Sequence, residues 1–244
     1  MGNAMIGWLR REQQQPSVQL GDITLPIAIK RHPTAKRVVL RIAPDGSEAR
    51  VTLPRWGQTA DAIAFANSRA DWLARQIEAL PTARPAAPGG TLHYCGRPLD
   101  IVWSSAAPRK PVLDGDMVSI GGPGESVGPR LQRWLESEAL RLMATDLEHY
   151  CRAANVATPD LRLSRAQRRW GSCSTSGTVR INWRLVQAPA AVRRSVVAHE
   201  VAHLLHFDHG PQFHAVLDRI FDGDLASANQ WLKREGRSLY AVFG

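Results

Sequence analysis

Cysteine is scarce in this 244-residue chain: Cys95, Cys151 and Cys173 are the only three, widely spaced and odd in number. No C-x-x-C pair occurs, so neither a disulfide scaffold nor a structural zinc ribbon is expected. Long hydrophobic runs are missing as well. No apolar stretch reaches eighteen residues, which argues against a transmembrane helix, and the segment from Met1 to Pro16 lacks the apolar core of a secretory signal. A soluble cytoplasmic protein with no membrane partner is the expectation. Lysine is nearly absent too: of 31 basic residues only Lys30, Lys36, Lys110 and Lys233 are lysines.

What is present is ordinary globular usage, 44% hydrophobic and 22% charged. The length suits one large domain or two small ones, with a core that needs no cross-links to hold it. The 31 basic and 22 acidic residues leave a net charge of +9, and the excess is local. Residues 151–199 carry nine arginines against the single acid Asp160, whereas residues 200–244 carry four basic and six acidic side chains.

The first half reads as strands. Ile23 to Lys30 alternates around Pro26, and Arg37 to Ile42 is rich in branched residues; a Pro44-Asp45-Gly46 turn then leads into Ala49 to Leu53. From Thr59 to Leu80 the apolar residues Ile63, Ala66, Ala70, Leu73 and Ile77 recur at helical steps, predicting one helix. A Pro/Gly-rich connector spans 81–90, and two hairpins are expected to turn at Cys95–Pro98 and at Asp114-Gly115. Gly121-Gly122-Pro123-Gly124 lacks the Lys-Ser/Thr ending of a phosphate-binding loop and reads as a linker. It is the natural boundary between a β-rich region with one helix (1–120) and a second domain (121–244), an α+β organisation. In the second domain an amphipathic helix is expected over Pro129–Ala154, a strand over Asp160–Ser164 and a hairpin from Trp170 to Trp183. A helix opened by Pro189 should run from Ala190 to Phe207, and two short helices close the chain. No internal repeat is visible.

Five of the eight histidines fall between His199 and His214, and His199-Glu200-Val201-Ala202-His203 is an H-E-x-x-H match inside an apolar, helix-compatible segment. Residues four apart share one helical face, so both imidazoles can reach one ion. An open catalytic zinc takes three protein ligands plus water, and Glu200 stands where a carboxylate can take a proton from that water. The third ligand is less direct. His206 shares the face but lies seven residues from His199, roughly 10 Å along the axis, and three imidazoles in one row cannot easily close a tetrahedron. The ligand should come from chain that has turned back: His209 is preferred, flanked by Asp208 and Gly210-Pro211, with His214 in reserve and Asp218, Asp222 and Asp224 behind it.

The ordered blocks Arg169-Trp170-Gly171-Ser172-Cys173-Ser174, Asn182-Trp183-Arg184-Leu185, Ala188-Pro189 and Val197–Leu204, with His209 and Phe213, resemble the YgjP-like family of predicted zinc metallopeptidases, relatives of SprT-like proteases. The resemblance extends from about Lys36 to Leu232. It implies a zincin-like metallohydrolase domain over 121–244 with one zinc per chain, held by His199, His203 and His209, and Glu200 as general base. It also implies that the R-W-G-S-C block lies near the cleft. Two positions depart from the family pattern: Ser195 stands where an aromatic residue is usual and His214 where Trp is usual.

Arg169, Trp170, Ser172, Arg184 and His214 are the candidate substrate-binding residues. Arg168, Arg169, Arg180 and Arg184 are expected on alternate faces of the hairpin, where they could dock an anionic group or stabilise a developing oxyanion. Cys173 reads as a small buried residue in place of a nucleophile. Three functions follow in order of preference. The first is a zinc peptidase in which metal-bound water, deprotonated by Glu200, attacks a peptide carbonyl, with a peptide or protein as substrate. The second is a nucleoside triphosphate or phosphoanhydride hydrolase whose arginines hold phosphates. The third is a nucleic-acid-associated protease whose basic segment binds backbone phosphate.

Overall fold

The computed structural model describes residues 16–80 and 85–243. The signal-free reading of Met1–Gln15 and the first part of the Pro/Gly-rich connector lie outside the described residues. The fold is α+β, and the chain divides into two compact units, Met1–Leu80 and Pro81–Gly244.

In the first unit, strands β1 (Ser17–Leu20), β2 (Ile23–His32), β3 (Val39–Ile42) and β4 (Ala49–Pro54) form one sheet in the order β1-β2-β4-β3. β2 and β4 pair in parallel, and the outer pairs are antiparallel. Alternation decides the faces: Leu25, Ile27, Val51 and Leu53 are buried with Ala62, Ala66 and Leu73. Those last three belong to two helices, α1 (Thr59–Asn67) and α2 (Ala70–Glu78), where one had been predicted. The break falls at Ser68-Arg69. The Ser68 hydroxyl donates back to the Phe65 carbonyl, and the Arg69 carbonyl accepts from Leu73 to start a fresh helix.

In the second unit, β5 (Thr91–Tyr94), β6 (Arg97–Trp103), β7 (Val112–Asp114) and β8 (Met117–Ile120) form a sheet in the order β5-β6-β8-β7. Both expected hairpins are present, and parallel pairing of β6 with β8 joins them. This repeats the arrangement of the first sheet, down to the left-handed glycines Gly21 and Gly96 in the first hairpin turns and Gly46 and Gly115 in the second. The repetition lies in turns and alternation, not in residue identity, which is why the sequence hides it.

Helix α3 (Val127–Ala154) follows and stops at Asn155, whose left-handed conformation caps it. Its buried stripe runs through Leu131, Leu135, Ala139, Met143, Leu147 and Tyr150. The boundary expected at Gly121–Gly124 falls inside this unit, because the Arg130 guanidinium donates to the carbonyls of Arg109, Gly121 and Pro123 and fastens the turn to α3. A small sheet β10-β11-β9 is made of β9 (Leu161–Ser164), β10 (Gly171–Cys173) and β11 (Val179–Asn182). β10 is an edge strand, paired antiparallel with β11 alone.

A 3-10 turn (Trp183–Val186) leads to α4 (Ala190–Ala202), then α5 (Pro211–Ile220), α6 (Leu225–Glu235) and a closing 3-10 turn (Gly236–Tyr240). No helix among the described residues is long and apolar enough to cross a membrane.

The axis of this unit is the contact of α4 with α3. Arg193 Nε donates to Asp146 Oδ2 at 2.7 Å, with both side chains almost fully buried. Arg194 binds Asp222 at 2.8 Å, and Asp222 also accepts from the Tyr150 hydroxyl at 3.0 Å. Both links tie helices distant in sequence to α3. Removing one partner of a buried pair strands the other charge, a loss of about 3–5 kcal/mol. Asp146→Ala is therefore expected to lower unfolding free energy by about 3 kcal/mol, read from the urea midpoint by circular dichroism. A midpoint equal to wild type would show the pair to be dispensable.

Candidate active site

α4 carries His199 on its last turn, and His203, one turn on, is the residue that caps it. The helix stops at Ala202 instead of continuing to Phe207 as predicted. Leu204 and Leu205 donate to Val201 and Ala202 three residues back, so the chain tightens and leaves the helix axis. It then turns through Asp208 and His209, and Gly210-Pro211 starts α5, with proline at the first helical position. This reversal returns His209 to the face that carries the other two imidazoles.

The three Nε2 atoms converge. His199 Nε2 lies 3.2 Å from His203 Nε2 and 3.2 Å from His209 Nε2, and all three ligand atoms lie within 4.8 Å of one another. A tetrahedral ion with Zn–N distances near 2.0–2.1 Å separates its nitrogens by about 3.3 Å, so the trio fits a small divalent ion. Orientation supports the same use. His203 Nδ1 sits 3.0 Å from the His206 carbonyl, which can only accept; the proton therefore lies on Nδ1 and the Nε2 lone pair faces the gap. His206 thus contributes its backbone, and its imidazole is not in the trio. Burial and the neighbouring imidazoles push His199 down to about 4, and burial also lowers His203, so both rings are neutral at pH 7, the form that binds metal.

Phe213, fully buried on α5, stands among the three rings, with its centroid 4.9, 4.6 and 4.8 Å from those of His199, His203 and His209. It fills the space behind the imidazoles and restricts their rotation. Its place in the sequence pattern was visible, but its role as a pillar was not.

Glu200, 4% exposed, lies between α4 and β10. Its Oε2 is buried without a hydrogen-bond partner among the described residues. Burial raises its carboxyl to about 7, opposed by the positive charge of Arg169. The room for this carboxylate comes from Gly171: a Cβ there would lie 2.8 Å from Glu200 Cδ and closer still to Oε1. Gly171 was legible only as part of a motif, since nothing in the sequence says which residue its missing side chain makes room for. Cys173 falls on the same face of β10. Burial and Glu200 push its thiol up, so it keeps its proton and acts as packing.

The other sequence candidates scatter. Ser172 points to the face of β10 opposite Gly171. Trp170 packs on Tyr240, with centroids 5.9 Å apart, and against Gly236. Arg184, expected on an accessible face, is buried between the rings of Trp183 and Tyr240 at 4.9 and 4.5 Å and donates to the Phe243 carbonyl, so it cannot meet a substrate. His214 is exposed on α5, outside the trio, although His199 feels its charge. Arg168 and Arg169 are exposed just before β10. Much of the basic segment is taken up elsewhere: Arg162 pairs with Asp160, Arg165 with Glu136, Arg193 with Asp146 and Arg194 with Asp222.

No curated protein matches this chain. Among solved structures, the crystal structure of the metallopeptidase zymogen of Pyrococcus abyssi abylysin is similar at a TM-score of 0.35 and 19% identity, over 39% of this chain and 96% of that one. A family model described as YgjP-like, metallopeptidase domain, matches residues 36–235, most of the chain and every residue of the site above. On that match the chain belongs to the YgjP-like metallopeptidase family, and is a metal-dependent hydrolase.

Proposed function

We propose that this protein is a zinc peptidase holding one ion per chain on His199, His203 and His209, with Glu200 as general base. The observation that carries this reading is the convergence of three Nε2 atoms beside a buried carboxylate oxygen with no partner. Zinc bound there supplies a Lewis acid and lowers the pKa of water towards about 7. A cation held by the three imidazoles would favour the ionised form of the Glu200 carboxyl, against the burial that raises it. Glu200 Oε2 then accepts a proton from the attacking water and returns it to the leaving nitrogen. The open edge of β10 offers backbone groups to an extended peptide, which would lie beside Gly171 and the base.

One observation favours a second reading. Arg168 and Arg169 are exposed where the chain enters β10, and the charge of Arg169 is felt by Glu200, as phosphoanhydride hydrolysis would need. The all-imidazole donor set suits zinc better than the magnesium that nucleoside triphosphates carry, so the peptide reading stands first.

His199→Ala, His203→Ala and His209→Ala are each expected to lose the bound zinc, measured by elemental analysis after dialysis, and His206→Ala to keep it. Loss in His206→Ala with retention in His209→Ala would move the third ligand. Glu200→Gln should retain zinc and lose about 100-fold or more in turnover. Assayed side by side on unfolded protein, a peptide library and nucleoside triphosphates, cleavage of triphosphates alone would replace the first reading by the second. Gly171→Ala should likewise keep the metal and lose most activity, because its methyl group displaces the Glu200 carboxylate. Wild-type turnover in that variant would show that the carboxylate position is not critical.

A further inference from the structure

The first unit carries a surface that the hydrolytic site does not use. Between Lys30 and Arg55 the sequence holds seven basic residues and only two acids, Asp45 and Glu48. The topology gathers most of these cations at one end and on one face of the sheet. β2 and β4 run parallel and finish side by side at His32 and Pro54, while β3 begins opposite them, with Val39 beside Thr52. Lys36 and Arg37, which lead into β3, therefore share a sheet end with Arg55 and Trp56, which leave β4. Alternation turns Val51 and Leu53 towards α1 and α2, and so puts Lys30 and Arg41 on the uncovered face.

Nothing in the folded unit neutralises this charge. Lys30, Lys36, Arg37, Arg41 and Arg55 are all exposed, and none pairs with a carboxylate among the described residues. Arg41 even lies directly across from Arg50, whose charge Glu48 takes up at 2.6 Å. Trp56 stands beside it, 79% exposed. Its turn is held in place, because Arg31 donates to the Gly57 carbonyl at 3.1 Å and to the Thr59 hydroxyl at 3.0 Å. An indole held out in water next to unpaired cations is a stacking platform beside a phosphate track.

We propose that this face binds single-stranded nucleic acid, with the cations on successive phosphates and Trp56 stacked on an unpaired base. A duplex keeps its bases stacked on one another and offers the indole nothing. An anionic bilayer would need further apolar side chains to sink beside Trp56, yet its exposed neighbours Arg55, Gln58 and Thr59 are polar. The binding is independent of the hydrolytic site, and Glu200→Gln binds as wild type does.

The test is fluorescence anisotropy of labelled oligothymidine and oligouridine with the full chain over a range of salt. Wild type binds both single strands more tightly than a duplex, and affinity falls linearly in log–log form with salt. Trp56→Ala weakens binding about ten-fold at fixed salt with the slope unchanged, and Trp56→Phe recovers most of the loss. Lys36→Ala with Arg37→Ala flattens the slope by roughly one unit. All these side chains are exposed, so the variants keep the wild-type circular dichroism spectrum. Equal affinity of wild type and Trp56→Ala, equal binding of duplex and single strand, or binding to phosphatidylserine vesicles without binding to oligonucleotides overturns the proposal.

Discussion

A straight helix can offer one ion two imidazoles from residues four apart, but not a third that closes the coordination sphere. The arrangement around His199 depends on this limit, because α4 must end before a third imidazole can join the other two. It ends by tightening at Leu204 and Leu205, which frees the His206 carbonyl to bind His203 Nδ1 and lets the chain swing His209 back. Phe213 then packs behind the three rings, in contact with each. One local event, the end of a helix, thus sets which imidazoles converge, the tautomer of His203 and the packing behind the rings.

Glu200 obeys a second limit. A carboxylate kept from water and left without a donor needs space beside it, and close-packed interiors leave little. Gly171 provides that space on the edge strand that α4 covers. The same strand brings its open backbone edge beside the base. Behind α4, the Arg193–Asp146 pair anchors the helix to α3, and Arg194 reaches α3 through Asp222, which also accepts from Tyr150, so the residues that precede the motif fix where it sits.

Charge has to be located in space before it means anything. The arginine-rich run before the motif looks like a basic field in the sequence, yet the fold spends most of it internally: Arg184 is between aromatic rings, Arg193 in a buried pair, and Arg162, Arg165 and Arg194 beside carboxylates. The smaller excess around Lys30–Arg55 draws no attention by count. Lys30, Lys36, Arg37, Arg41 and Arg55 remain exposed at one end and on one face of the sheet, without a carboxylate partner among the described residues.

The histidine trio could be picked out of the sequence because H-E-x-x-H encodes a helical period, and Asp208 with Gly210-Pro211 encodes a turn; both are local signals. Strands, hairpin turns and the long helix α3 were legible for the same reason, since alternation, glycine turns and a four-residue apolar stripe act over a few residues. The break at Ser68, the early end of α4, the parallel joins of β2 with β4 and β6 with β8, and the placing of Gly121–Gly124 within a unit were not. The parallel joins and the placing of Gly121–Gly124 depend on partners far along the chain, and the two helix ends turn on single hydrogen bonds that an apolar period does not encode. The sequence by itself determined which groups can bind a metal and move a proton. The tertiary structure alone decided which arginines stay in water, which glycine makes room for Glu200 and which phenylalanine holds the imidazoles apart, because each is settled by contacts between residues that no local pattern connects.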